Sequence, residues 1–91
     1  MPEGRSNDPT RTELEDLWLL KLWEAQRQYY DAAAKWREAL SEQQQSPVPS
    51  PDGNYAVSRA ARVEAVARRE YARVLEVFMD LVVKGKVPPS A

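Results

Sequence analysis

The stretch SPVPSPDGN, residues Ser46–Asn54, divides the chain into two long segments that have helical periodicity. Its three prolines stand at alternate positions, and each one removes a backbone donor and disfavours helical geometry in the residue before it. A helix that reaches this stretch must therefore end there. The stretch is interpreted as a loop, over residues 46–54; a proline-rich ligand is the alternative, but Pro-x-x-Pro spacing and flanking basic residues are absent.

The segment before the prolines predicts a helix over about residues 10–45. Thr10 followed by Glu13 fits a capping box, in which the hydroxyl and the carboxylate each satisfy a backbone N–H. Apolar residues then recur at spacings of four and three, which places them on one helical stripe. The stripe comprises Trp18, Leu22, Ala25, Tyr29, Ala32, Trp36 and Ala39.

The segment after the prolines predicts a second helix over about residues 54–84, with Asp52 or Asn54 as its start. Lys84 suits the negative end of the helix dipole, Gly85 can adopt the left-handed cap, and Pro88 and Pro89 prevent continuation. The same spacing of threes and fours defines a second stripe, which comprises Ala56, Ala60, Val63, Ala67, Tyr71, Val74, Phe78 and Leu81.

These two helices predict an all-α fold, an antiparallel two-helix hairpin, because no segment alternates apolar and polar residues as a strand would. The hairpin is expected to form one domain over residues 10–85. Residues 1–9 are rich in polar residues, proline and glycine and predict a disordered tail, and residues 86–91 predict a flexible one.

Composition excludes several classes of site. The 91 residues include no cysteine and no histidine, which removes disulfides, the commonest metal ligand and the commonest general base. There is also no Gly-x-Ser-x-Gly elbow and no glycine-rich phosphate loop. Glu24, Asp31 and Glu38 recur every seven residues, about 10 Å apart along a helix and too far apart to share one ion. We expect no enzyme, no metal and no cofactor.

The stretch LWLLKLW, residues 17–23, holds more apolar side chains than one partner helix can cover. Two hairpins are therefore expected to pair as a four-helix bundle, most simply a coiled-coil-like homodimer, with a different helical protein as the other possible partner. Trp18 and Phe78 can serve mainly within the hairpin. The interface is predicted to centre on Trp18, Leu19, Trp23, Tyr30, Phe78 and Met79. The predicted interface residues are Leu19, Leu20, Trp23, Tyr30, Leu75, Met79 and Val82.

An arginine-rich face on the second helix gives the alternative function, an accessory protein that binds nucleic acid. Its candidate residues are Arg59, Arg62, Arg69 and Arg73. The formal charge of the whole chain is −1, so any such binding needs a local patch. We expect instead that these arginines lie near Asp31, Glu38 and Glu42 of the first helix, where they are ion-paired or solvated, and that Glu64 pairs with Arg68.

The cytoplasm is the expected location. Residues 1–13 lack the basic start and apolar core of a secretory signal, and the later apolar run is too short to span a bilayer. Binding to a membrane surface is the alternative for the exposed tryptophan, but Glu13, Glu15 and Asp16 would repel anionic head groups.

Overall fold

The computed structural model describes residues 10–46 and 51–88, which form two antiparallel helices, α1 (Arg11–Gln45) and α2 (Pro51–Lys84). Each helix is about 50 Å long at 1.5 Å per residue, and the two lie side by side as a single layer of two rods. The predicted all-α hairpin is confirmed, and each helix has only one neighbouring helix within the described residues.

The start of α1 has the predicted capping box. The Thr10 hydroxyl accepts a hydrogen bond from the Glu13 backbone N–H at 3.1 Å, and the Glu13 carboxylate accepts one from the Thr10 N–H at 2.8 Å. Two of the backbone donors that a helix start leaves without a partner are therefore satisfied by side chains of the same turn.

α2 starts at Pro51, one residue before Asp52, the earlier of the two predicted starts. Proline suits the first helical position because its fixed φ is helical and its missing N–H is not needed there. Asp52 then lies in the first turn, beside the positive end of the dipole. The predicted loop is shortened accordingly, and its residues 47–50 lie outside the described residues, as do 1–9 and 89–91 of the predicted tails.

The end of α2 has the predicted glycine cap. Gly85 has a φ of 69°, its N–H donates to the Leu81 carbonyl at 3.1 Å, and the Lys86 N–H donates to the Asp80 carbonyl at 3.1 Å. Within the predicted C-terminal tail, Lys86 and Val87 are exposed and Pro88 is buried; the flexibility of residues 86–91 stays a prediction.

Arg11 of α1 completes this cap from the other helix, which the sequence did not predict. Its Nη2 donates to the carbonyls of Leu81 at 3.2 Å and Val82 at 2.9 Å. The end of a helix leaves carbonyls without intrahelical donors, and a guanidinium can supply them. The two helices are thus joined by hydrogen bonds at the end away from the loop, here called the open end.

The core lies where the two predicted stripes meet. Trp18 and Ala25 of α1 are buried against Val74 and Leu81 of α2. Halfway along, the rings of Tyr29 and Tyr71 stack with centroids 5.9 Å apart and an interplanar angle of 15°. This pair shows the register of the two helices, in which residue 29 of α1 lies opposite residue 71 of α2. Two members of the predicted α2 stripe, Ala56 and Val63, stay exposed; residues toward the loop are small, so less of the surface there is covered.

Gly85→Ala is expected to lower the free energy of unfolding by about 1 kcal/mol, because an L-residue is strained at positive φ. An added Cβ would also lie 3.4 Å from Arg11 Nη1. Gly53→Ala is the matched control: Gly53 lies in α2, and its Cβ would meet only Gln43 Cγ at 4.0 Å. That change should be neutral or stabilising by up to about 1 kcal/mol. Urea denaturation followed by circular dichroism measures both.

Candidate protein-interaction surfaces

The hairpin has two broad sides, and a residue belongs to one or the other according to whether it follows or precedes a core position in the sequence. A step of one residue turns a side chain by about 100° around a helix axis. Because α1 and α2 are antiparallel, the residue that follows a core position lies on the same side of the hairpin in both helices. The residue that precedes a core position lies on the opposite side: Leu17, Lys21 and Arg73, which precede Trp18, Leu22 and Val74, line one common hollow.

One side carries an apolar patch at the open end. Its members each follow a core position and are Leu19, Trp23, Tyr30, Leu75, Met79 and Val82. Trp23 is 56% exposed and Tyr30 is 58% exposed, and the other members except the half-buried Leu19 are also exposed. The expectation that α1 and α2 leave these side chains uncovered is confirmed for the described residues; the interface itself stays a prediction.

Three residues of the predicted interface lie outside the apolar patch. Trp18 is buried between the helices, and Phe78 packs against the same core. Leu20 is 60% exposed but lies on the side opposite the apolar patch, where it lines a hollow with Leu17 and Arg73. Leu19 and Leu20 are neighbours in sequence, and the turn of about 100° between them carries them to different sides.

The apolar patch has no charged member. Along α1 on this side, the residues after Leu19 at spacings of three and four are Trp23, Gln26, Tyr30 and Ala33, none of them charged. Glu15 bounds this surface at the open end. Toward the loop, the first charged residues on this side are Arg37 on α1 and Arg68 on α2.

The opposite side carries a groove between the helices, here called the charged groove. It consists of three hollows that share lining residues, and the central hollow has a volume of about 830 Å³. Of the candidate nucleic-acid residues, Arg59, Arg62 and Arg73 line this groove, whereas Arg69 lines none of the three hollows. All four side chains are exposed.

Within the described residues no ion pair joins these arginines to α1: Arg73 pairs with Glu70, and the side chains of Arg59, Arg62 and Arg69 are exposed. Within residues 10–46 and 51–88, every ion pair joins two residues of one helix. Asp31 and Arg62 line the same hollow but stand on opposite rims. The physical reason is the open groove between the rims, which holds the charges of α1 and α2 apart. The predicted pair of Glu64 with Arg68 is present, at 3.8 Å.

Two carboxylates of the charged groove are neutralised locally. Arg73 donates hydrogen bonds of 2.8 and 3.0 Å to Glu70, which lower the pKa of Glu70 and raise the pKa of Arg73. Hydrogen bonds from Gln28 and Arg27 lower the pKa of Glu24. These carboxylates therefore stay ionised to lower pH than usual, and each already has a donor beside it.

Glu64 is the one polar residue among those buried in the described chain, and the sequence interpretation missed it. Its spacing of four from Ala60 and three from Ala67 puts it on the core stripe. Trp36 follows Tyr29 by seven residues, and Glu64 precedes Tyr71 by seven. Because the helices are antiparallel and the two tyrosines stack, Glu64 lies opposite Trp36. The buried indole Nε1 of Trp36 has no hydrogen-bond partner. The spacing of Glu64 indicates a core position, but a search for apolar residues passes over a glutamate.

Glu64→Leu is expected to raise the free energy of unfolding by about 1 to 2 kcal/mol. Burying a carboxylate is costly, and its one ion pair here is long and joins it to the exposed Arg68. The control is Glu76→Leu at an exposed position of α2, which should change stability by less than about 0.5 kcal/mol. Destabilisation by Glu64→Leu would show instead that the carboxylate holds a favourable contact. Thermal and urea unfolding distinguish the two results.

Within the described residues, neither helix has an apolar stretch long enough to cross a membrane. The same residues contain no group of three or more side chains placed to hold a metal ion. Comparison of the chain with protein-family models, with curated proteins and with solved structures finds no match.

Proposed function

We propose that this chain is a non-enzymatic interaction module that pairs with a second copy of itself through the apolar patch, as a four-helix bundle. The observation that carries the proposal is the patch: six apolar side chains without a charge among them, on one side of a hairpin only one helix layer thick. An exposed patch of this kind, bounded by charged residues, marks an interaction surface.

The energetics favour such pairing. Full burial of a large apolar side chain contributes about 1.5 to 3 kcal/mol, and the patch residues are roughly half buried already. Covering the remainder on twelve side chains of two copies therefore gains on the order of 9 to 18 kcal/mol. Association costs about 4 to 15 kcal/mol, so a net favourable interaction results over most of this range.

The charges at the ends of the patch are compatible with a second copy as the occupant. Glu15 lies at one end of this surface and Arg37 at the other. Glu15 already pairs with Arg11 of its own helix at 3.1 Å, whereas Arg37 has no ion-pair partner within residues 10–46 and 51–88. A second copy turned end over end would bring its Arg37 toward the pair of Glu15 and Arg11, and by two-fold symmetry the same approach occurs twice. The patch is thus complementary to itself chiefly in apolarity.

Trp23 fluorescence tests the proposal at the patch itself. As the concentration rises from the low to the high micromolar range, the tryptophan emission should shift to shorter wavelength, because Trp23 passes from water into the interface. Trp23→Phe preserves an apolar ring and should remove the shift, since Trp18 and Trp36 are largely covered within the hairpin. An emission spectrum that does not change with concentration would contradict pairing with a second copy.

The other candidate functions have less support. A different helical protein could cover the same patch, and it becomes the leading occupant if the pure chain stays monomeric. Nucleic acid is disfavoured because the four candidate arginines do not form one continuous basic face: Arg69 lines none of the three hollows, and Arg73 is already paired with Glu70. The cytoplasm stays the expected location, which cell fractionation tests.

A further inference from the structure

The charged groove, on the side away from the apolar patch, is continuous along much of the hairpin. Its first and central hollows share Gln28 and Glu70, and its central and third hollows share Lys35 and Val63. From Leu17 to Lys35 it runs about 27 Å, at 1.5 Å per residue. This length matches five turns of an α-helix.

The floor of the charged groove is apolar and open. Small side chains such as Ala32 and Ala67 lie between the helices, and Val63, Val66 and Tyr55 are exposed along the α2 rim. Two packed helices offer such a groove to a third helix, whose apolar stripe can lie between them. The shape therefore fits an amphipathic helix.

The charges of the rims indicate the sign of the occupant. Glu24 and Glu70 are paired with Arg27 and Arg73 of their own helices. In the central and third hollows the rims carry three cations, Lys35, Arg59 and Arg62, that have no ion-pair partner within residues 10–46 and 51–88, against one such carboxylate, Asp31. Glu42 lines the next hollow toward the loop, which shares Ala56 with the third. The excess of positive charge is thus confined to the central and third hollows.

We propose that the charged groove binds an amphipathic helix of a partner protein, with the apolar stripe of that helix on the floor and its acidic residues against Lys35, Arg59 and Arg62. Electrostatic complementarity of this kind sets the choice and orientation of a partner more than its raw affinity. The charged groove and the apolar patch lie on opposite sides, so this binding is independent of the proposed pairing with a second copy.

The test uses the full chain and three labelled helical peptides of about 18 residues, the length that spans the groove. All three have the same leucine and alanine stripe, and their flanking residues are glutamate, glutamine or lysine. Fluorescence anisotropy measures the dissociation constants, and a labelled single-stranded oligonucleotide is measured alongside. We expect the glutamate peptide to bind at least about 10-fold more tightly than the lysine peptide, which corresponds to about 1.4 kcal/mol.

The double variant Arg59→Glu with Arg62→Glu should reverse the preference, so that the lysine peptide binds more tightly. The matched control is Arg69→Glu, which changes the same residue type on the same helix but lies outside the three hollows and should leave the preference unchanged. Trp23→Glu, on the other side, should also leave it unchanged. No binding of the glutamate peptide at millimolar concentration, equal binding of the three peptides, or tighter binding of the oligonucleotide would overturn the proposal.

Discussion

Trp23→Glu is expected to weaken self-association by about 100-fold or more. The change puts a carboxylate into the centre of an apolar interface, where an unpaired charge costs several kcal/mol, and 1.4 kcal/mol corresponds to a factor of ten. In a two-fold dimer the cost arises twice, once in each copy. Sedimentation equilibrium over a series of concentrations measures the dissociation constant. The hairpin itself should stay folded, because Trp23 is 56% exposed in the single chain.

Leu20→Glu is the matched control for this prediction. Leu20 is 60% exposed and three residues away on the same helix, but it lies in the charged groove. Leu20→Glu should therefore leave the dimer intact, although it adds the same charge as Trp23→Glu. Equal weakening by both changes would show that the apolar patch is not the interface, and so would an unchanged dimer in Trp23→Glu.

Leu81→Ala is expected to lower the free energy of unfolding by about 2 to 5 kcal/mol. Leu81 is fully buried between the helices at the open end, and the change leaves a cavity that two rods can fill only in part. A chain of this length has about 5 to 14 kcal/mol of total stability, so the variant loses a large share of it. Its melting temperature should fall well below that of the wild type.

Val83→Ala provides the comparison for Leu81→Ala, two residues further along the same helix. Val83 is 66% exposed, and its truncation should change stability by less than about 0.5 kcal/mol. Both proteins must be unfolded at the same chain concentration, because dimer formation raises apparent stability by mass action. If Leu81→Ala lowers the free energy of unfolding as little as Val83→Ala does, Leu81 is not packed between the helices at the open end as described.

Much of the fold could be predicted from local chemistry. The prolines separate the helices, Thr10 with Glu13 starts α1, and Gly85 ends α2; each acts within a few residues of the chain. The contact of Arg11 with the Leu81 carbonyl could not be predicted in this way. It joins residues 70 apart in sequence, and only the register of the packed helices brings them together.

The candidate surfaces were predictable in part. The excess of apolar residues in the stretch 17–23 correctly indicated side chains that one partner helix leaves exposed. Assigning them to sides needed both helix direction and rotation, which is why Leu20 was grouped with Leu19. Glu64 shows the opposite limit: because it is charged, it was left out of the predicted apolar stripe, although its spacing places it there and packing of the stripe buries it.

The central claim is that a second copy covers the apolar patch, and the mass of the pure full-length chain in solution tests it most directly. Sedimentation equilibrium at high micromolar concentration should give twice the chain mass of 10.4 kDa, with dissociation toward the single chain on dilution. A mass of one chain at every concentration would contradict the account.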